Sequence, residues 1–199
     1  QVFAKGGFDA VIGNPPYVRA DTEDEKHILQ RKIIDGLTDQ YQTLFEKWDI
    51  FVAFIERSIR GLLNPYGQFC FIVSDALCTV KYSEKMRAWL SKEYYLPSID
   101  YFENFQVFKG VGVVPIIIYV DKNGTPKETT KYLHDGSFDN IASAIVLDQK
   151  DSFLFKKVRG DILSYNYSNC IFLESICFIS KGIVPNSDEF LAKGEFTKE

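Results

Sequence analysis

The sequence predicts an α/β fold in which helices alternate with the strands of one sheet. Three observations predict it: a short apolar run ends at Gly13, a segment of helical periodicity follows, and further apolar runs alternate with amphipathic segments. Short apolar runs bounded by glycine and proline are typical of buried strands. Apolar residues at steps of three and four indicate a helix, and alternation of the two favours a layered α/β sheet.

The first half of the chain supplies the first strand, a long connection and the main helix. Phe8 to Gly13 predicts a buried strand that leads into a loop. Val18 to Thr43 is polar and mixed in charge, and a connection of this length is uncommon unless it is functional or partly helical. Leu44 to Leu63 has one apolar face and predicts a helix, which the turn Asn64 to Gly67 ends.

The second half supplies the remaining strands and two shorter helices. The predicted elements are a strand from Gln68 to Ser74, a helix from Ser83 to Leu90, and strands from Ser98 to Phe102 and from Val113 to Val120. After a turn at Asn123-Gly124, we expect Lys131 to Leu133 to pair back on the preceding strand. Asp148 to Val158 predicts a last helix.

The composition is that of a soluble globular protein. The chain has 199 residues, of which 46% are hydrophobic and 25% charged, so it can bury a core without disulfides. The longest apolar stretch, Val111 to Val120, is too short to cross a bilayer, and the sequence predicts no signal peptide. We therefore expect a cytoplasmic protein that makes no membrane contact.

Charge and cysteine usage exclude further classes. The net charge is −4 and the sequence pI is about 5.3, whereas free-standing nucleic-acid binders are usually basic. The four cysteines form no C-x-x-C pair, and the two histidines lie far from them in sequence. The sequence therefore predicts reduced thiols and no metal site.

The most informative stretch is F-D-A-V-I-G-N-P-P-Y, residues 8–17. A strand delivers Asn14 to the carboxyl edge of the sheet, where open α/β sheets bind ligands. Pro15 and Pro16 fix φ twice and remove two backbone N–H groups, so the loop presents mainly hydrogen-bond acceptors beside the ring of Tyr17. Such a loop suits a flat heterocycle that bears an amino group. The N-P-P tripeptide alone would favour a plain turn in which Tyr17 merely packs, but the complete block favours the ligand site.

This block resembles motif IV of the amino-methyltransferases that use S-adenosylmethionine. In their DNA branch the tetrapeptide holds the exocyclic N6 of a flipped-out adenine, and similar loops occur in enzymes that methylate a protein glutamine or a ribosomal guanine. Segments 48–56, 62–74, 107–120 and 179–183 resemble the γ-class DNA adenine methyltransferases, which include TaqI-like and fused type IIG enzymes. The resemblance covers roughly residues 3 to 190.

The resemblance implies that four residues of the loop bind the substrate base. Asn14 and the Pro15 carbonyl would accept hydrogen bonds from the adenine amino group, which makes them, with Tyr17, the catalytic candidates. Tyr17 would stack on the flipped base, and Pro16, in the same loop, would belong to the substrate-binding residues.

Two more aromatic residues receive roles from the resemblance. Phe108 matches the motif VIII aromatic that contacts the base from the other side, and Phe102 and Phe105 are its competitors. Phe54 matches the aromatic that borders the adenine of S-adenosylmethionine, although its place on an apolar helix is also compatible with a core position.

The implied fold is the C-terminal half of a Rossmann-like S-adenosylmethionine-dependent methyltransferase sheet in residues 1–160, followed by a linker and the start of a target-recognition domain in residues 161–199. The implied function is site-specific methylation of adenine N6 in double-stranded DNA, as part of a restriction–modification system. Alternatives are a protein-glutamine or RNA N-methyltransferase and a non-catalytic DNA-binding fragment.

The glycine-rich cofactor loop of these enzymes has no match in this sequence. Only residues 1–7 precede motif IV, and the G-x-G at 110–112 leads into a strand rather than a helix. We therefore expect an excerpt of a longer protein that by itself binds S-adenosylmethionine poorly and is inactive. Because Phe8 to Gly13 would lack its inner neighbour, we also expect the isolated chain to self-associate.

Overall fold

One mixed sheet flanked by helices organises the chain. The computed structural model describes residues 2–18, 25–108, 112–151 and 154–156. The strands are β1 (Phe8–Gly13), β2 (Leu63–Ser74), β3 (Ser98–Glu103), β4 (Pro115–Asp121), β5 (Glu128–Asp135) and β6 (Ile141–Asp148). The helices are α1 (Glu25–Asp35), α2 (Ile50–Arg57), α3 (Ala76–Thr79) and α4 (Glu84–Glu93). The predicted α/β class is confirmed.

The strand order, β1-β2-β4-β3-β5-β6, brings the carboxyl ends of four strands to one edge. β1 is parallel to β2, and β3 is parallel to β5. β4 lies between β2 and β3 and is antiparallel to both, so β1, β2, β3 and β5 all point the same way. We call the edge where these four strands end the carboxyl edge, and Asn14 follows β1 there.

The hydrophobic core lies between one face of this sheet and the helices α2 and α4. Side chains alternate along β2, so Phe69, Phe71 and Val73 are buried on the core face whereas Cys70 and Ile72 are half-buried on the other face. The core cluster also contains α2 and α4 residues such as Phe51, Ile55, Met86 and Leu90. Period-two burial on the sheet and period-3.6 burial on the helices are what the apolar pattern predicts.

The predicted helix from Leu44 to Leu63 begins later than its periodicity indicates. The α-helical part starts at Ile50, with Asp49 in an extended N-cap conformation, and one π-helical turn, Ser58–Leu62, completes the element. The buried Glu56 carboxylate accepts hydrogen bonds from the backbone N–H groups of Gln42 and Thr43. These bonds hold residues 42–43 as a loop, and the extended backbone of Asp49 separates the segment ahead of Ile50 from the helix.

The predicted turn from Asn64 to Gly67 lies inside a strand. β2 begins at Leu63, but its pairing with β1 passes from Phe8–Leu63 directly to Ala10–Gln68, so the N-P-Y-G segment bulges out of register. Asn64 accepts a hydrogen bond from the N–H of Tyr66 at 2.8 Å and donates one to Asp9 at 2.7 Å. The sequence therefore predicts the local change of chain direction at residues 64–67 correctly, but not that this segment forms a bulge within a longer strand.

The prediction that Phe8 to Gly13 is buried is wrong. β1 is the first strand in the sheet order, and Ile12 is 81% exposed while Phe8 is 41% exposed. One edge of the strand has no neighbour among the described residues. Phe8 and Ile12 lie on the face of β1 that is open to solvent, whereas Val11 on the other face packs against the core. Self-association through this edge stays a prediction.

The elements after β4 differ most from the predictions. Lys131 to Leu133 belongs to β5, which pairs with β3 and β6 rather than with β4, because both sides of β4 are already occupied by β2 and β3. Asp148 ends strand β6, which the sequence did not predict, and the described residues 149–151 and 154–156 are not helical. A helix from Asp148 to Val158 is therefore wrong over the described part.

Other predicted elements are confirmed. The connection from Val18 to Thr43 is partly helical through α1, and the predicted helix and strands at 83–90, 98–102 and 113–120 correspond to α4, β3 and β4. The segments 161–199 and 179–183 lie outside the described residues, so the domain boundary stays a prediction. In the described part of the chain, each helix is too short or too polar to cross a membrane.

Candidate substrate site at the carboxyl edge

The loop from Asn14 to Tyr17 begins over an aromatic ring of the core. A Cβ on Gly13 would lie 2.6 Å from Cε1 of Phe71, so the last residue of β1 has to be glycine for this ring to pack beneath it. Pro15 is buried, Pro16 is half-buried and Asn14 is exposed. The loop therefore rests on its first proline and leaves the Asn14 amide accessible from solvent.

Tyr17 and Phe108, the two aromatic residues that the resemblance assigns to the substrate base, are in contact with each other. Their ring centroids are 6.0 Å apart and the rings are tilted by 54°. Both side chains are half-buried. A flat ring between two others needs about 3.5 Å on each side, so a base can enter between these rings only if they separate slightly.

The Tyr17 phenol is anchored to the sheet. Its hydroxyl donates a hydrogen bond to the carbonyl oxygen of Ile72 on β2 at 3.3 Å. Burial raises the pKa of Tyr17 to about 12. The phenol therefore stays protonated near neutral pH, and its ring is held by a neutral hydrogen bond rather than by a charge.

Among the three phenylalanines considered for motif VIII, Phe108 is the one in ring contact with Tyr17. Phe102 is buried and stacks on His134, with a centroid distance of 5.1 Å. Phe105 packs on Phe102 and Phe138 instead.

Phe54 is not a core residue. Its neighbours Phe51, Ala53 and Ile55 on α2 are buried, but Phe54 is 42% exposed. Nothing in the described residues brings it into contact with the Asn14 loop. An exposed aromatic on an otherwise buried stretch of helix is suited to stacking on a flat ligand.

The exit of the loop is fixed by contacts that the sequence did not reveal. The Ile50 N–H donates to the Val18 carbonyl at 3.3 Å, which joins the end of the loop to the start of α2. Arg31 of α1 donates to the Trp48 carbonyl and lies over the Trp48 ring, 4.3 Å from its centroid. An Arg and a Trp separated by a polar linker give no local signal, so only the folded chain shows this contact.

The described residues include no group of three or more His, Cys, Asp or Glu side chains that could hold a metal. Asp100 and His134 form a pair whose Oδ1 and Nε2 atoms are 2.6 Å apart. His134 Nδ1 also bonds to the Phe138 carbonyl at 2.8 Å, so both ring nitrogens are used within the protein. Burial raises the pKa of Asp100 despite this partner.

Comparison with known proteins identifies the family. Residues 1–108 match the Eco57I restriction-modification methylase family. The chain belongs to this family. Relatives of this chain include the type II restriction enzyme and methyltransferase RM.Eco57I of Escherichia coli, 26% identical across 96% of the chain and 20% of the relative. They also include the type II methyltransferase M.BstVI of Geobacillus stearothermophilus, 27% identical across 84% of the chain and 28% of the relative.

A solved structure shares the fold of this chain. A protein described as the modification subunit of a type I restriction enzyme from Vibrio vulnificus superposes with a TM-score of 0.50 and 15% identity, covering 70% of the chain and 28% of that structure. The predicted fold, part of a Rossmann-like methyltransferase sheet, is thereby confirmed. The chain spans 20% and 28% of the length of the two curated relatives described above.

Proposed function

We propose that the full-length protein transfers a methyl group from S-adenosylmethionine to N6 of an adenine flipped out of double-stranded DNA. The observation that carries this proposal is the juxtaposition of the exposed Asn14 with the Tyr17–Phe108 ring pair at the carboxyl edge of the sheet. The names of the relatives support a DNA methyltransferase of a restriction–modification system over a protein-glutamine or RNA methyltransferase.

The chemistry assigned to Asn14 follows from the loop. The adenine amino group donates hydrogen bonds to Asn14 Oδ1 and to the Pro15 carbonyl, so the nitrogen lone pair is directed away from the ring plane. Amino nitrogen of a conjugated base is a weak nucleophile, and orientation accounts for much of the rate when the methyl donor is already activated. S-adenosylmethionine supplies that activated methyl as part of a sulfonium ion.

The aromatic pair offsets the cost of extruding the base. Unpairing and unstacking a base costs a few kcal/mol, while stacking on an aromatic side chain returns about 1–3 kcal/mol. Each hydrogen bond to the amino group adds about 1 kcal/mol. Tyr17 provides one stacking face, and Phe108 contacts the base once the two rings separate.

Phe54 is the residue of this chain that we assign to the cofactor. Its exposure on α2 fits an aromatic that borders the adenine ring of S-adenosylmethionine. We place the rest of the cofactor site outside this chain, so the chain alone binds the cofactor poorly and does not methylate DNA.

Asn14→Ala in the full-length protein tests the proposal. It should reduce methylation by at least about 100-fold, since the loss of a positioned polar contact in a transition state costs on the order of 3 kcal/mol. Duplex binding should change little, because most protein–DNA hydrogen bonds go to phosphate and sugar. Transfer of a radiolabelled methyl group and duplex binding are measured on the same preparation.

Asn64→Ala is the matched control, because Asn64 also precedes a proline but lies in the β2 bulge and bonds to Asp9. It should lower stability modestly and leave the methylation rate near normal. If Asn14→Ala and Asn64→Ala retain equal turnover, the assignment of Asn14 to the substrate amino group is wrong.

A further inference from the structure

The carboxyl edge carries a second organised feature beside the Asn14 loop. The chain leaves β2 at Ser74 on this edge, so Lys81 and Lys85, which follow α3, lie on the same side of the sheet as Asn14. The Tyr82 hydroxyl donates to the Asp49 carboxylate at 2.6 Å, directly ahead of α2. Since Ile50 also bonds to Val18, the two lysines are connected to the exit of the substrate loop through the start of α2.

Both lysines are arranged around one aromatic ring. Lys85 Nζ lies 4.8 Å and Lys81 Nζ lies 5.9 Å from the centroid of Phe45. Lys81 Nζ also pairs with Glu46 Oε1 at 2.7 Å, and Glu46 has a positive φ of 54°. Exposed lysines normally sample many rotamers, so the shared ring and the ion pair place these two ammonium groups before any ligand arrives.

The charge of the edge differs between its two sides. What we call the basic flank lies beside α1, α2 and α4 and consists of the Phe45 ring and four cations, Arg31, Lys47, Lys81 and Lys85. Three carboxylates, those of Glu46, Asp49 and Glu84, lie among these cations, so the flank carries one positive charge more than it carries negative charges. On the β3–β5 side the strands end in Glu103 and Asp135, and no lysine or arginine occurs in residues 98–108 or 132–149. An elongated polyanion at this edge is therefore attracted to one side and repelled from the other.

We propose that the basic flank binds the sugar-phosphate backbone of the DNA duplex beside the flipped base, with Lys81 and Lys85 each neutralising one phosphate. This inference rests on the proposed function and specifies how the duplex lies on the chain. A phosphate displaces Glu46 from Lys81, while Glu103 and Asp135 keep the duplex off the β3–β5 side.

The test compares single alanine variants of the full-length protein in binding to a fluorescent duplex between 50 and 200 mM salt. Each phosphate contact contributes about 0.9 to the slope of log K against log salt. Lys81→Ala and Lys85→Ala should therefore each lower that slope by about 0.9 and weaken binding roughly eightfold at 0.1 M salt. Lys92→Ala is the control, since Lys92 is exposed at the opposite end of the same helix, α4.

Methylation kinetics distinguish this inference from the proposed function. With saturating duplex, Lys85→Ala should turn over at nearly the normal rate and show only a raised KM for DNA. If Lys81→Ala and Lys85→Ala keep the slope and affinity of Lys92→Ala, the basic flank does not bind the backbone. The proposed function then stands provided that Asn14→Ala still shows the large loss of methylation expected above. If the unaltered protein binds no duplex, both the inference and the proposed function are wrong.

Discussion

Two aromatic pairs of this chain, one in the core and one at the proposed substrate site, are packed in different ways. Phe69 and Phe71 are almost fully buried beneath α2, with ring centroids 4.2 Å apart. Tyr17 and Phe108 are half-buried, with centroids 6.0 Å apart and a wide tilt between the rings. The rings of the close pair have almost no exposed surface on which a ligand could stack. The loose pair retains exposed ring surface, so its substitution should affect substrate handling more than stability.

The largest difference in stability should come from the core pair. Phe69→Ala removes a buried ring from a close-packed cluster and should lower the free energy of unfolding by about 3–5 kcal/mol. Urea denaturation of the 199-residue chain measures this, with Phe108→Ala as the comparison. Equal destabilisation by both substitutions would show that Phe108 is a core residue, and would contradict the assignment of the two pairs to different roles.

The two regions also treat ionisable groups differently. Tyr17 at the site keeps a neutral phenol, whereas Lys131 lies buried on the core face, 5.2 Å from the ring centroid of Tyr101. Burial lowers the pKa of Lys131 from 10.5 to about 8. Between these two values the unfolded chain binds the proton and the folded chain does not, so stability rises with pH in this window.

Lys131→Met isolates this effect. Relative to the Met variant, the free energy of unfolding of the unaltered chain should increase by about 3 kcal/mol as the pH rises from about 8 to 10.5. Subtracting the two curves removes the opposing contributions of tyrosines and cysteines that titrate in the same range. A difference that is flat with pH would mean that Lys131 is not desolvated in the folded chain.

The smallest effect, and the most specific, belongs to Phe108. In the full-length protein Phe108→Ala should slow methylation by the equivalent of about 1–3 kcal/mol of stacking energy, while Phe108→Trp keeps much of the rate because a larger ring still stacks. Melting temperatures should change little in either variant. Phe105→Ala is the control, because Phe105 packs on Phe102 and Phe138 instead. A slow Phe105→Ala variant beside a normal Phe108→Ala variant would transfer the role to Phe105.

What the sequence predicted well depends on local chemistry. The position of Asn14 after a strand follows from one apolar run, a glycine and two prolines, all within ten residues. The alternation of burial on β2 and the apolar face of α4 are similarly local, because side-chain direction in a strand or a helix repeats at a fixed period.

What it predicted poorly depends on partners distant in sequence. The segment ahead of α2 is held by Glu56, which bonds to Gln42 and Thr43 from the far end of the helix. The partner of β5 is decided by which sides of β4 are already occupied, and β6 has its place in the sheet only through its pairing with β5. No window of the sequence contains this information.

A contact between residues distant in sequence also shapes the proposed substrate site, at Gly13. The Phe71 ring fills the space that any side chain at position 13 would need. The position of the backbone that carries Asn14 above the sheet is therefore set by a core residue. A substitution that tilts this ring would displace the amide without touching the loop. If a core variant methylates poorly, the cause would then be a misplaced Asn14 amide rather than a lost chemical group. Repacking the residues around Phe71 would therefore change the geometry of the site while its chemical groups stay the same.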